Sequence, residues 1–99
     1  MVRATASARE NFDRDGFVVI EDLLNTTELE RFGAAVDSAV RTRVGADDRQ
    51  VSEKSLYEQS FQQCANLWED NPEVRGLTFQ QELGEMAASL LGAETLRIW

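Results

Sequence analysis

Apolar residues are spaced along this chain in ways that predict short helices separated by brief apolar runs. Phe12 is the bulky anchor of a polar stretch that closes at Gly16, which predicts a short helix over residues 6–14 ended by a left-handed glycine. Phe17, Val18, Val19 and Ile20 follow with no polar interruption. A β-branched and aromatic run that is apolar on both faces predicts a strand covered on both sides, ended by Glu21 and Asp22. A 99-residue domain has little room to cover both faces of such a strand.

The second helix has the fullest set of signals. Asn25, Thr26 and Thr27 offer capping oxygens, and Glu28 and Glu30 suit the positive end of the helix dipole. Leu29, Phe32, Val36, Ala39 and Val40 form an apolar stripe at spacings of three and four. Arg41 and Arg43 stand in its last turn, and Gly45 is the expected stop before a solvated loop over 45–52. A third helix is expected over about 53–69, burying Leu56 or Tyr57, Phe61, Cys64 or Ala65, Leu67 and Trp68. Asn71-Pro72 breaks it, because proline lacks an amide proton and restricts the residue before it. A short turn over 73–77 then leads to a last helix over about 78–91, with Phe79, Leu83, Met86, Ala87, Leu90 and Leu91 on one face. Gly92 closes that helix, and 93–99 reads as a second strand with Leu96 and Ile98 on one side.

The pattern predicts an α+β, mainly helical fold whose substantial strands are 17–20 and 96–98, paired with each other. Its expected core is Phe17, Val19, Leu29, Phe32, Val36, Phe61, Leu67, Trp68, Leu83, Met86, Ala87 and Leu90. The chain is read as a single partial domain over 1–99, with no internal repeat.

Composition narrows the function classes. Apolar residues make up 42%, the range of a globular chain rather than a disordered one. Eighteen acids against ten bases give a net charge of −8, which argues against nucleic acid and against anionic membrane surfaces as partners. A single cysteine, Cys64, allows no internal disulfide. Arg3 is not followed by the apolar segment of a secretory leader, and the longest bulky apolar run is far shorter than the ~20 residues of a spanning helix. The expectation is a cytoplasmic protein.

There is no histidine at any position, and that changes the reading of every other candidate group. The acidic pairs Asp13/Asp15, Glu21/Asp22, Asp47/Asp48, Glu69/Asp70 and Glu82/Glu85 carry carboxylates. Asp47-Asp48 lacks the alternating oxygen ligands of a calcium loop, and Glu82 and Glu85 lack the histidine of a helical di-iron site. They read as solvated faces. Cys64 has no imidazole to act as its base and reads as a core thiol. Trp68 reads as core, Trp99 as a strand end, and nothing near Lys54 or Tyr57 in sequence would tune either for proton chemistry. The six glycines do not form a phosphate-binding loop.

Three blocks carry a resemblance. The first is Phe12-x-x-Asp15-Gly16-Phe17-Val18-Val19-Ile20 with Leu23-Leu24 and Glu28-Leu29. The second is Leu67-Trp68 with Pro72 and Val74, and the third is Leu90-Leu91-Gly92 leading to Leu96-Arg97-Ile98-Trp99. In order and spacing, over about residues 11–99, they resemble the N-terminal segment of the phytanoyl-CoA dioxygenase family. The resemblance implies a helical region preceding a double-stranded β-helix (jelly-roll) oxygenase that uses Fe(II), 2-oxoglutarate and O₂ on a small-molecule substrate. The family's His-x-Asp…His triad, and the basic residue that grips 2-oxoglutarate, have no matching position here. No catalytic, cofactor-binding or metal-ligating residue is therefore carried over.

The expectation is thus an N-terminal fragment of a dioxygenase, inactive by itself. Its uncovered terminal strand would invite self-association. The alternative is a small, non-catalytic, acidic helical module that binds a protein partner.

Overall fold

The computed structural model describes residues 2–98, and among them the secondary structure is entirely helical. Five α-helices follow in order: α1 (Ala6–Asp15), α2 (Thr26–Gly45), α3 (Leu56–Ser60), α4 (Pro72–Thr78) and α5 (Gln81–Leu91). Two single 3₁₀ turns, Val51–Glu53 and Leu67–Glu69, lie before and after α3. The described residues group into two compact units. One combines the stretch through Asn25 with the stretch from Phe79 onward, and the other is Thr26–Thr78.

In the first unit the ends of α1 follow from single side chains. Thr5 caps it, its Oγ1 accepting from the Ala8 amide at 3.1 Å. Gly16 ends it at φ +80°, its N–H donating to the Phe12 carbonyl. Gly92 ends α5 in the same way at φ +67°. The segment before α1 is tied to α5 by two bonds: Val2 N–H donates to Glu85 at 2.7 Å, and Ala4 N–H to the Ser89 hydroxyl at 2.8 Å. Met86 and Ala88 are the buried residues of α5.

In the second unit α2 buries Phe32, Ala35 and Ala39. Ala35, Ala39 and Val74 of α4 form the core, with Val36, Leu67 and Trp68 packed on it. Asn71 caps α4, its side-chain oxygen accepting from the amides of Glu73 (2.9 Å) and Val74 (3.1 Å). Pro72 takes the first helical position, where a missing N–H costs nothing.

Several expectations are corrected. Neither 17–20 nor 96–98 is a strand, because a strand exists only where a second strand completes its ladder. Residues 17–20 form no hydrogen bond among the described residues, and the same holds for 95–98. The jelly-roll part of the expected fold is therefore not seen, while its mainly helical part is. Trp99, read as the end of the terminal strand, lies outside the described residues.

The helix expected over 53–69 is broken into pieces. Ser55 and Glu58 form a capping box that starts α3 afresh, and Phe61 is already extended at φ −145°. Asn66 then turns the chain at φ +54°. Asn71-Pro72 begins a helix where it was read as a break before a turn, and the last helix starts at Gln81, not Thr78.

Of the expected core, Phe32 and Met86 are buried, and Val36, Leu67, Trp68, Leu83, Ala87 and Leu90 are half-buried. Phe17 (67% exposed), Val19 (76%), Leu29 (57%) and Phe61 (57%) are not core residues. For Leu29 the reason is angular. At about 100° per residue it lies roughly 80° around α2 from Ala39, off the buried face.

Candidate functional site

In the second unit, the loop that leaves α2 folds back on itself and is pinned by one arginine. The Arg49 guanidinium donates to both oxygens of Asp47, at 2.9 and 3.0 Å, and to Glu58 at 2.6 Å. Its backbone N–H also reaches Asp47, at 3.2 Å. Lys54 Nζ lies 3.7 Å from the same Asp47 carboxylate. Two acids and two bases thus close a loop of about ten residues into a clasp.

The electrostatics follow from these contacts. Hydrogen bonds from Arg49 hold the Asp47 carboxyl far below the usual carboxylate range. Glu58 is lowered too, first by Arg49 and then by the Ser55 amide of the capping box. Arg49 in turn is raised by both carboxylates. Each unit charge has an opposite charge within 4 Å, so the clasp orders the loop with little net field.

The clasp borders a cleft of about 220 Å³ that also takes in Arg43, Phe61, Gln63 and Cys64. Arg43 comes from the last turn of α2, donating to the Ala65 carbonyl at 2.9 Å and to Asp70 at 2.5 Å. Those two bonds hold the irregular 61–66 stretch and the turn that follows it against the helix. Tyr57 packs on Phe61 with the rings tilted by 38° and their centroids 5.5 Å apart, and its hydroxyl donates to Gln63 at 3.1 Å.

The groups weighed in the sequence divide cleanly. Asp47 and Lys54 meet in the clasp, while Asp70 pairs with Arg43 and Asp15 with Arg14. Glu85 accepts from Val2 N–H and from Gln81, and Glu82 is exposed. Cys64 is a free, half-buried thiol in the irregular stretch, not on a helix face as expected. Trp68 is half-buried with the Arg75 guanidinium 5.3 Å from its ring centre. The sequence reading placed Arg43 only as a cation in the last turn of α2, and it missed Arg49 and Glu58. The Ser55-x-x-Glu58 spacing was the legible signal for the last of these.

The donor set decides what this cleft can hold. Among the described residues no three His, Cys, Asp or Glu side chains come together in a way that could hold a metal ion. A first-row metal of the facial-triad kind needs imidazole beside carboxylate, and this chain has none. The residues present do not fit Fe(II). Among the described residues no helix is long and apolar enough to cross a membrane. Compared with family models, curated proteins and solved structures, the chain finds no match.

Proposed function

We propose that these residues are the helical N-terminal portion of an Fe(II)- and 2-oxoglutarate-dependent dioxygenase of the phytanoyl-CoA dioxygenase type, supplying scaffold and no metal ligand. The observation that carries the reading is the open apolar run at 17–20. Four strand-forming residues expose Phe17 and Val19 and leave their backbone groups without hydrogen-bond partners among the described residues. Such a run is costly to leave in water and is suited to a sheet supplied by other residues. The order of the three sequence blocks supports the same reading.

A second reading, an acidic helical module that binds a protein, draws on Val51, Leu56, Tyr57 and Phe61. All four are more than half exposed within a short stretch of the second unit. The dioxygenase reading accounts for both the strand-like run and the absence of histidine, so it is preferred.

The test is the coding sequence downstream of Trp99 and the protein made from it. The reading expects a His-x-Asp within a few tens of residues, a second histidine much further on, and anaerobic Fe(II) binding that 2-oxoglutarate strengthens. The 99-residue chain by itself should give no Fe(II) heat in anaerobic calorimetry and release no succinate. A native stop codon after Trp99, or micromolar Fe(II) binding by the 99 residues alone, overturns it.

A further inference from the structure

Residues 17–20 have the exposure pattern of a strand without the partner. Phe17 and Val19 stand out in solvent, while Val18 and Ile20 are half-buried, an alternation of period two. Ile20 and Val19 border a cavity of about 330 Å³ with Ala4, Ala8, Met86 and Arg3 in the same unit. No hydrogen bond engages the four residues among the described ones. Protein edges of this kind are usually blunted by lysine or proline, and neither residue occurs here: the only lysine is Lys54 and the only proline Pro72.

The charges at the ends of the run select among occupants. Asp13 and Asp15 precede it, and Glu21 and Asp22 follow it. Arg14 is already committed to Asp15 at 2.9 Å. Even counting Arg14 and Arg3, acids outnumber bases four to two. A second copy is a poor occupant. Antiparallel pairing centred between Val18 and Val19 brings the Asp13–Asp15 end of one copy beside the Glu21–Asp22 end of the other. Parallel pairing stacks identical acids. Both bring like charges together at the ends of the ladder, which destabilises it.

We infer that the strand which completes residues 17–20 is apolar on alternate positions and carries lysine or arginine at both ends. The inference rests on the dioxygenase reading, in which a later part of the polypeptide supplies that strand. Backbone hydrogen bonds would give the affinity of this strand addition, and the acidic ends its register and selectivity.

The probe is a short synthetic peptide of alternating valine and threonine with a lysine pair at each end, added to the 99-residue chain. The control is the same peptide with glutamate pairs. Amide chemical shifts of residues 17–20 should move and saturate with the lysine-ended peptide. The glutamate-ended one should bind about tenfold or more weakly, the product of several exposed charge pairs, and the difference should shrink in high salt. Val19→Pro, at a 76% exposed site, should remove binding while leaving the helical circular dichroism unchanged. Equal affinity for both peptides, no binding by either, or dimerisation of the chain through 17–20 overturns the inference. None of these outcomes bears on the downstream His-x-Asp, so the dioxygenase reading stands or falls separately.

Discussion

Replacing Asn71 with alanine isolates one side-chain oxygen that anchors the core of the second unit. That oxygen accepts from two amides in the first turn of α4, Glu73 at 2.9 Å and Val74 at 3.1 Å. The helix it starts is only seven residues long, yet it carries Val74, 6% exposed, into contact with Ala35 and Ala39. A helix that short has no stability of its own. Loss of an N-cap costs about 1 kcal/mol, toward 2 where two donors are orphaned and one is partly buried. For a domain of this size each kcal/mol moves the midpoint by about 4–8 °C. Asn71→Ala should therefore lower Tm by about 4–16 °C and reduce hydrogen-exchange protection of the Val74 amide. The loss is large against the reserve, since six apolar side chains are buried among the described residues and none is fully sealed. Asn71→Asp keeps an accepting oxygen and places negative charge at the helix N-terminus, so it should melt within a few degrees of the parent. Equal melting of the alanine and aspartate variants would refute the capping argument.

Three further outcomes are expected. Gly16→Ala forces a side chain into a φ of +80° in open space, so it should cost about 1 kcal/mol through backbone strain alone, measured by urea unfolding. Glu58 and Asp47 have lowered pKa values in the folded chain, so the stability they give is present above about pH 4, the ordinary carboxylate value, and is lost as pH falls through the folded values. Glu58→Gln should make the fall in stability below about pH 4 shallower, and an unchanged acid slope would count against the clasp. Leu96 and Ile98 are 42% and 48% exposed, and sedimentation of the 99-residue chain should show association that rises with concentration and is suppressed in Leu96→Ser/Ile98→Ser.

Helix ends were the most legible part of the sequence because each is set by one or two neighbouring residues. Gly16 and Gly92 close their helices where expected, and α2 runs from Thr26 to Gly45 as its caps and stop suggested. Reading failed where elements depend on a partner. The composition of 17–20 is that of a strand, but composition supplies no second strand. Between 53 and 69 the apolar residues keep a helical rhythm, yet Tyr57 and Phe61 have no buried surface to face, so the local capping box at Ser55 prevails. The core was misjudged in place at Phe17, Val19, Leu29 and Phe61, which are exposed, and in size elsewhere. Ala35 and Ala88 are buried because small side chains let backbones approach, and the pattern of large apolar residues did not reveal them; Ala39, on the expected stripe, is buried too. The clasp was not legible, since Asp47, Arg49 and Glu58 meet only after the loop has folded back.

Arg49 also makes its loop resistant to cutting. A trypsin-like protease must draw the guanidinium of its target arginine into an acidic pocket of its own before it cleaves. In this chain that guanidinium is already held by Asp47 and Glu58, while Arg97 sits in a stretch with no hydrogen bond among the described residues. Cleavage after Arg97 proceeds from the chain as it stands, whereas cleavage after Arg49 waits for the loop to open. The ratio of the two rates measures how often the clasp lets go, a local equilibrium separate from unfolding of the whole chain.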